Sequence, residues 1–236
     1  LGLLETTIRR MHWICHAYCL MGNHCHLLME IQEGVLSCGM AWLNDVYTQK
    51  FNRKYGFTGH LFQGIFKSRP VEDSMQFLMA ARHTVENPLE AGIVKKAQQW
   101  PLCSYRATVG RITQPGYLFV DDILSCLSNN RQNTQVFFEE LVHMDLKEND
   151  DRIINLFQKT HARERESVFR KKVRTVMDMK NSLGPVFRTQ RNRAGLTSRN
   201  YSVEPRPGIV IQGTGSYAVL SSYMHTPNRR QQISWT

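Results

Sequence analysis

Two short apolar runs meet at Gly22-Asn23: WICHAYCLM (13–21) before it and HCHLLMEI (24–31) after it. Runs of this length around a Gly-Asn dipeptide predict a β-hairpin. Helical spacing brackets it. Leu3, Leu4, Ile8 and Met11 recur at that spacing over 1–12, and Met40, Leu43, Val46, Tyr47 and Phe51 over 37–55, ending near Gly56. A hairpin set between helices commits the chain to an α+β fold. Farther on, GHLFQGIFKS (59–68) is glycine-punctuated and aromatic, which predicts a strand or extended loop. Asp73, with Gln76 three residues on, predicts a capped helix start. Phe77, Leu78, Ala81 and Val85 give that helix its apolar face, and Pro88 predicts its end near Asn87. A short helix at PLEAGIV, helix over 120–145 and a basic helix over 152–180 complete the pattern. From Gly184 onward Gly, Pro, Ser, Asn, Gln and Arg dominate, which predicts little fixed structure.

The 236 residues are 42% hydrophobic and 21% charged, apolar enough to bury a core. No run approaches the roughly 18 apolar residues of a membrane span, and LGLLETTIRR does not read as a secretory leader. A soluble, cytoplasmic protein with no membrane partner is expected. The six cysteines form no CxxC pair and read as reduced thiols. Charge is unevenly placed. Residues 1–151 hold 14 Lys and Arg against 16 Asp and Glu, whereas residues 152–236 hold 16 against 4. The net +10 therefore sits in the last third, where it suits either a polyanion partner or a solvated tail.

Side chains alternate along a strand, so His24 and His26 share a face of the second hairpin arm. Two adjacent imidazoles make half of a divalent-metal site, or else a plain surface or core pair. A zinc set of Cys15, Cys19, His24 and His26 is a further alternative. Strand parity counts against it by setting odd cysteines opposite even histidines.

Four segments carry a resemblance. AYCLMGNHCHLLME (17–30) is similar to an AYxxMxNHxHLLxx motif, and YTQKFNRKYGFTGHLFQGIFKS (47–68) to one ending GHLFQGRFKS. ARHTVENPLEAGIV (81–94) is similar to RYIxxNPVRAGLV, and WPLCSYRATVG (100–110) to WxxSSYRxxxG. In this order they resemble the REP-associated branch of the HUH single-tyrosine transposases. The resemblance implies a ferredoxin-like antiparallel sheet with helices packed on one side. It implies a metal-dependent endonuclease and strand transferase of DNA transposition, acting on single-stranded or hairpin DNA with Mg²⁺ or Mn²⁺. By alignment His24, His26 and Asn87 become metal ligands, although Asn87 before Pro88 also suits a helix N-cap. Arg53, Lys54, Gln63, Lys67 and Arg69 become DNA contacts. Whether such a chain is a monomer or a homodimer is left open.

Three departures matter. The family tyrosine, the nucleophile, falls on His83, which forms no phosphotyrosine, so cleavage is expected to be lost or severely impaired. Tyr47, Tyr55 and Tyr105 fit other family positions. Ile65 stands where an Arg is usual, and the family's opening strand, central in its sheet, has no counterpart at the start of this sequence, as in an N-terminal truncation. The expected organisation is a transposase-like core over 1–112, a helical extension over 113–150, a basic helical segment over 151–183 and a disordered tail over 184–236. The alternative function is a non-catalytic DNA-binding module descended from such a transposase, with Phe66 or Tyr55 available for base stacking.

Overall fold

A computed structural model describes residues 1–31, 36–64, 66–127, 131–144 and 216–224. The basic segment 151–183 and Ile65 lie outside the described residues, as does most of 184–236. Helix α1 (Gly2–Met11) leads into strands β1 (Ile14–Leu20) and β2 (His24–Ile31), and helix α2 (Leu36–Tyr55) into β3 (Lys67–Pro70). Helix α3 (Ser74–Glu90), the short helices α4 (Tyr105–Thr108) and α5 (Asp121–Ser125), and α6 (Arg131–His143) follow. Strand β4 (Ser216–Tyr223) closes the order.

The fold is α+β, with one antiparallel sheet in the order β1-β2-β4-β3. The hairpin forms where the sequence predicts it, Met21 N–H donating to the His24 carbonyl across the turn at 2.8 Å. The expectation of little structure after Gly184 is overturned at β4. SYAVLSSY lies between β2 and β3, pairing over its whole length with β2 and along Lys67–Pro70 with β3. Its alternation of Tyr217, Val219, Ser221 and Tyr223 with Ala218, Leu220 and Ser222 suits a strand covered on both faces.

Helices cover both faces, not one side as expected. One face presents Cys25, Leu27 and Ser222 to α1 and α2, where Asn44 donates to the Ser222 hydroxyl at 3.0 Å. The opposite face carries His24, His26, Glu30 and Tyr217, and α3 lies across it with Phe77 on Tyr217, ring centroids 4.8 Å apart. Two helix layers are needed because nearly every β1 and β2 residue is buried, not only alternate ones. The outer edge of β1 is closed by backbone bonds to 102–104 and 119, while β3, short and ending in proline, forms the open edge.

Asp73 caps α3 as its sequence predicts, accepting from Gln76 N–H at 2.7 Å. The helix does not stop at Asn87. It runs through Pro88 to Glu90, so PLEAGIV is its last turn and not a separate helix, and Asn87 caps nothing. Burial of Val85 and Pro88 against the core outweighs the preference of a pre-proline residue for extended backbone.

Candidate functional site

His24 and His26 stand side by side on β2, ring centroids 5.0 Å apart. Asn23 positions the first ring: its amide oxygen lies 2.7 Å from His24 Nδ1 and accepts from it. Helix α3 brings His83 and Asn87, one turn apart, over the same end of the sheet. The His83 ring meets His26 edge to face at 5.5 Å. Asn87 Nδ2 donates to the His83 carbonyl at 2.6 Å, and the Asn87 side chain also hydrogen-bonds His24.

Both strand histidines are biased toward the neutral form. Burial, with His24 and His83 nearby, pushes His26 down to about 4. Burial lowers His24 too, partly offset by its bond to Asn87. A neutral imidazole is the form that binds a metal.

Strand β4 adds a residue that reading the sequence missed. Tyr223 pairs with His24 across the sheet and stacks on its ring, centroids 5.2 Å apart and planes 17° apart. Lys67 Nζ sits 5.4 Å from the Tyr223 centroid, a cation–π contact from the next strand. The available signal was the strand-like SYAVLSSY run itself, set within a polar stretch.

A groove of about 880 Å³ opens beside the cluster, lined among others by His26, His83, Lys67, Arg69, Gln76 and Tyr223. A smaller recess holds Gln63 and Phe66 with Lys67 and Tyr223. Of the five expected DNA contacts, Lys67 and Arg69 line the groove with His26 and His83, and Gln63 lines the adjoining recess. Arg53 and Lys54 lie in the last turn of α2 and line neither cavity; Lys54 Nζ rests 5.2 Å over Tyr55 instead. Nor do Tyr47, Tyr55 or Tyr105 line the groove. Tyr47 and Tyr55 pack around Phe51, and Tyr105 is fully buried.

The zinc alternative fails for a reason other than parity. Cys19 pairs directly with His26, and paired residues share a face. Its thiol nevertheless turns to Met21 Sδ at 3.7 Å and bonds Cys103, an interaction that together with burial pushes its pKa far up. The Cys15 thiol points to the Ala17 carbonyl at 3.8 Å. Both thiols are thus turned to partners other than the histidine pair.

Among the described residues, two groups of three His, Asp or Glu side chains bring one ligand atom each to within 4.8 Å of one another. His83, Glu86 and Glu90 form one on α3, with His83 Nδ1 3.7 Å from a Glu90 oxygen. Glu86 pairs with Arg82 at 2.8 Å, yet burial pushes its pKa up to about 7. His16, Glu30 and Asp122 form the other, farther along the same sheet face. Among the described residues, no helix is long and apolar enough to cross a membrane. Comparison with family models, curated proteins and solved structures returns no match.

Proposed function

We propose that this chain is a transposase-type DNA-binding protein of the HUH single-tyrosine kind, acting on single-stranded or hairpin DNA. The observation that carries the reading is the convergence of His24, His26, His83 and Asn87 at the mouth of a groove flanked by Lys67 and Arg69. These are the positions that the family alignment assigns to metal ligands, nucleophile and DNA contacts. The connectivity supports the same reading. Taking β4 ahead of α1 gives βαββαβ with β4 and β2 central in the sheet, the ferredoxin-like order.

The donor set fits a divalent ion. His24 offers Nε2, His26 is held neutral, and the Asn87 amide nitrogen is engaged by the His83 carbonyl, which leaves the amide oxygen to turn toward His24. Mg²⁺ or Mn²⁺ held there would offset the negative charge of a bound phosphate. Lys67 and Arg69 bind the backbone, and Tyr223 offers an aromatic edge beside it. His83 is half exposed, and Glu90 is placed to orient its ring. A histidine there takes a proton from an attacking group but supplies no phenolic oxygen, so binding outlasts cleavage.

The second reading, a non-catalytic DNA-binding module, is favoured by that same histidine. One experiment tests both. A 5′-labelled hairpin oligonucleotide is incubated with the protein and Mn²⁺ or Mg²⁺, with binding and nicking measured together. Salt-sensitive binding with slow nicking is expected; binding without nicking selects the module. Absence of binding at low salt overturns both.

A further inference from the structure

At the other end of the histidine-bearing sheet face, the chain buries an imidazole between two carboxylates. The pairing of β1 with β2 shifts register between Cys15 and Ala17, leaving His16 without a partner in the ladder. Such a bulge re-aims a side chain, and here it sends His16 under the first turn of α3. The ring is completely buried, enclosed by Phe77 at 5.1 Å, Tyr217 at 5.4 Å and Phe119 at 6.2 Å.

Hydrogen bonding sets its tautomer. His16 Nδ1 lies 3.0 Å from the Phe119 carbonyl oxygen, which can only accept, so Nδ1 carries the proton. In the neutral ring Nε2 is then a lone pair. It is buried, has no hydrogen-bond partner, and stands 3.7 Å from a Glu30 carboxylate oxygen. With the ring neutral, a lone pair and a carboxylate face each other, an arrangement that a cation between them relieves, while the Tyr217 hydroxyl hydrogen-bonds the same Glu30 carboxylate. Asp122, in the first turn of α5, brings the second carboxylate to the Nδ1 side of the ring, 4.0 Å from that nitrogen, and Tyr217 Oη donates to its Oδ2 at 3.5 Å. One ligand atom from each of the three residues falls within 4.8 Å of the others.

We propose that His16, Glu30 and Asp122 form a divalent transition-metal site, distinct from the His24–His26 cluster and independent of the function proposed above. The ligand chemistry is one imidazole and two carboxylates, a set that suits zinc with a fourth position left for water. Charge balance agrees, since two carboxylates around a neutral imidazole are offset by one dication. The outer contacts agree as well. A metal-binding histidine characteristically donates its other N–H to a backbone carbonyl, and its carboxylate partners are themselves hydrogen-bonded. Asp122 is one-third exposed and gives the ion an entry path. The site ties the middle of the sheet to α5, a structural role that places no demand on the groove.

Zinc itself is the probe. The full chain carrying His24→Ala and His26→Ala, which clears the other cluster, is titrated with ZnCl₂ by calorimetry and followed by thermal unfolding. One zinc per chain and a raised Tm are expected. Adding Glu30→Gln or Asp122→Asn, both near-isosteric, should cut the affinity at least about tenfold and remove the Tm rise, with circular dichroism reporting folding. If the double variant folds but binds no zinc, the proposal is overturned. Zinc binding unchanged by both carboxylate substitutions overturns it equally.

Discussion

His26 on β2 and His83 on α3 meet edge to face, their ring planes 72° apart and their centroids 5.5 Å apart. The contact joins residues 57 positions apart in the chain, at the place where strand alternation and helical period both point into the groove. Whatever His83 does, it does within reach of the histidine pair.

His83→Tyr should therefore put a phenolic oxygen at the nucleophile position. The ring is half exposed, so the change is accommodated without repacking the core. With Mn²⁺ and a hairpin oligonucleotide, a protein–DNA adduct surviving denaturing electrophoresis is expected from the variant and none from the parent. An adduct from the parent that persists in His83→Ala would place the nucleophile elsewhere.

Acid should weaken the fold through His26. Its folded value of about 4 lies below the ordinary 6.5, so between these the unfolded chain takes up a proton that the folded chain refuses. The His26 contribution should be flat above pH 6.5 and fall as pH drops toward 4, by up to about 3 kcal/mol, opposed by Glu86, whose folded value of about 7 makes acid favourable over the same range. His26→Gln should flatten that fall in urea unfolding at pH 7, 5.5 and 4.5. Parallel curves would show that His26 does not resist protonation.

Lys67→Ala with Arg69→Ala should weaken hairpin binding and reduce the salt slope by about 1.4, two phosphate contacts on a single strand. Arg53→Ala with Lys54→Ala should change it less, because these residues stand away from the groove. Fluorescence anisotropy at several salt concentrations separates the pairs, and equal losses would remove the groove from the interface. The excess of Lys and Arg in residues 152–236 is tested by charge reversal and not by truncation, which would delete β4 as well.

Two stability tests bear on the helices that carry the site. Asp73→Ala, losing the bond from Gln76 N–H, should cost about 1 kcal/mol, whereas Asp73→Asn should be nearly neutral. Gly39→Ala places a Cβ 2.3 Å from Trp13 Cζ2, where α2 crosses the start of the hairpin. It should cost about 1–3 kcal/mol by overpacking. Chemical denaturation reads both, and a neutral Gly39→Ala would mean that Trp13 swings aside.

What the sequence made legible was local. The hairpin around Gly22-Asn23, the periodicities of α1 and α2 and the Asp73 cap are each settled by residues within a few positions of one another. The grouping of His24, His26 and Asn87 was legible only through the four-segment resemblance, because spacing alone left ligand and cap open for Asn87. The continuation of α3 through Pro88 was not legible, since burial of Val85 and Pro88 is a tertiary effect that overrides a local steric preference. Strand β4 was missed because its partners lie about 150 and about 190 residues upstream, beyond any window in which periodicity is read. Tyr223 was lost with it. His16 escaped notice because a bulge breaks the strand alternation by which its direction would be inferred.

The position of β4 has a consequence for how the molecule is made. During synthesis β1, β2, β3 and α3 emerge while the slot between β2 and β3 is still empty, and it stays empty until residues 216–223 leave the ribosome. Until then two strand edges that later face β4 stand unpaired, open to association with other chains. Closing the sheet also means closing a long loop, the kind of non-local pairing that slows folding. The nascent chain thus carries these unpaired edges until β4 is made. Its histidine cluster, lacking the Tyr223 ring, is completed only in the last stage of folding.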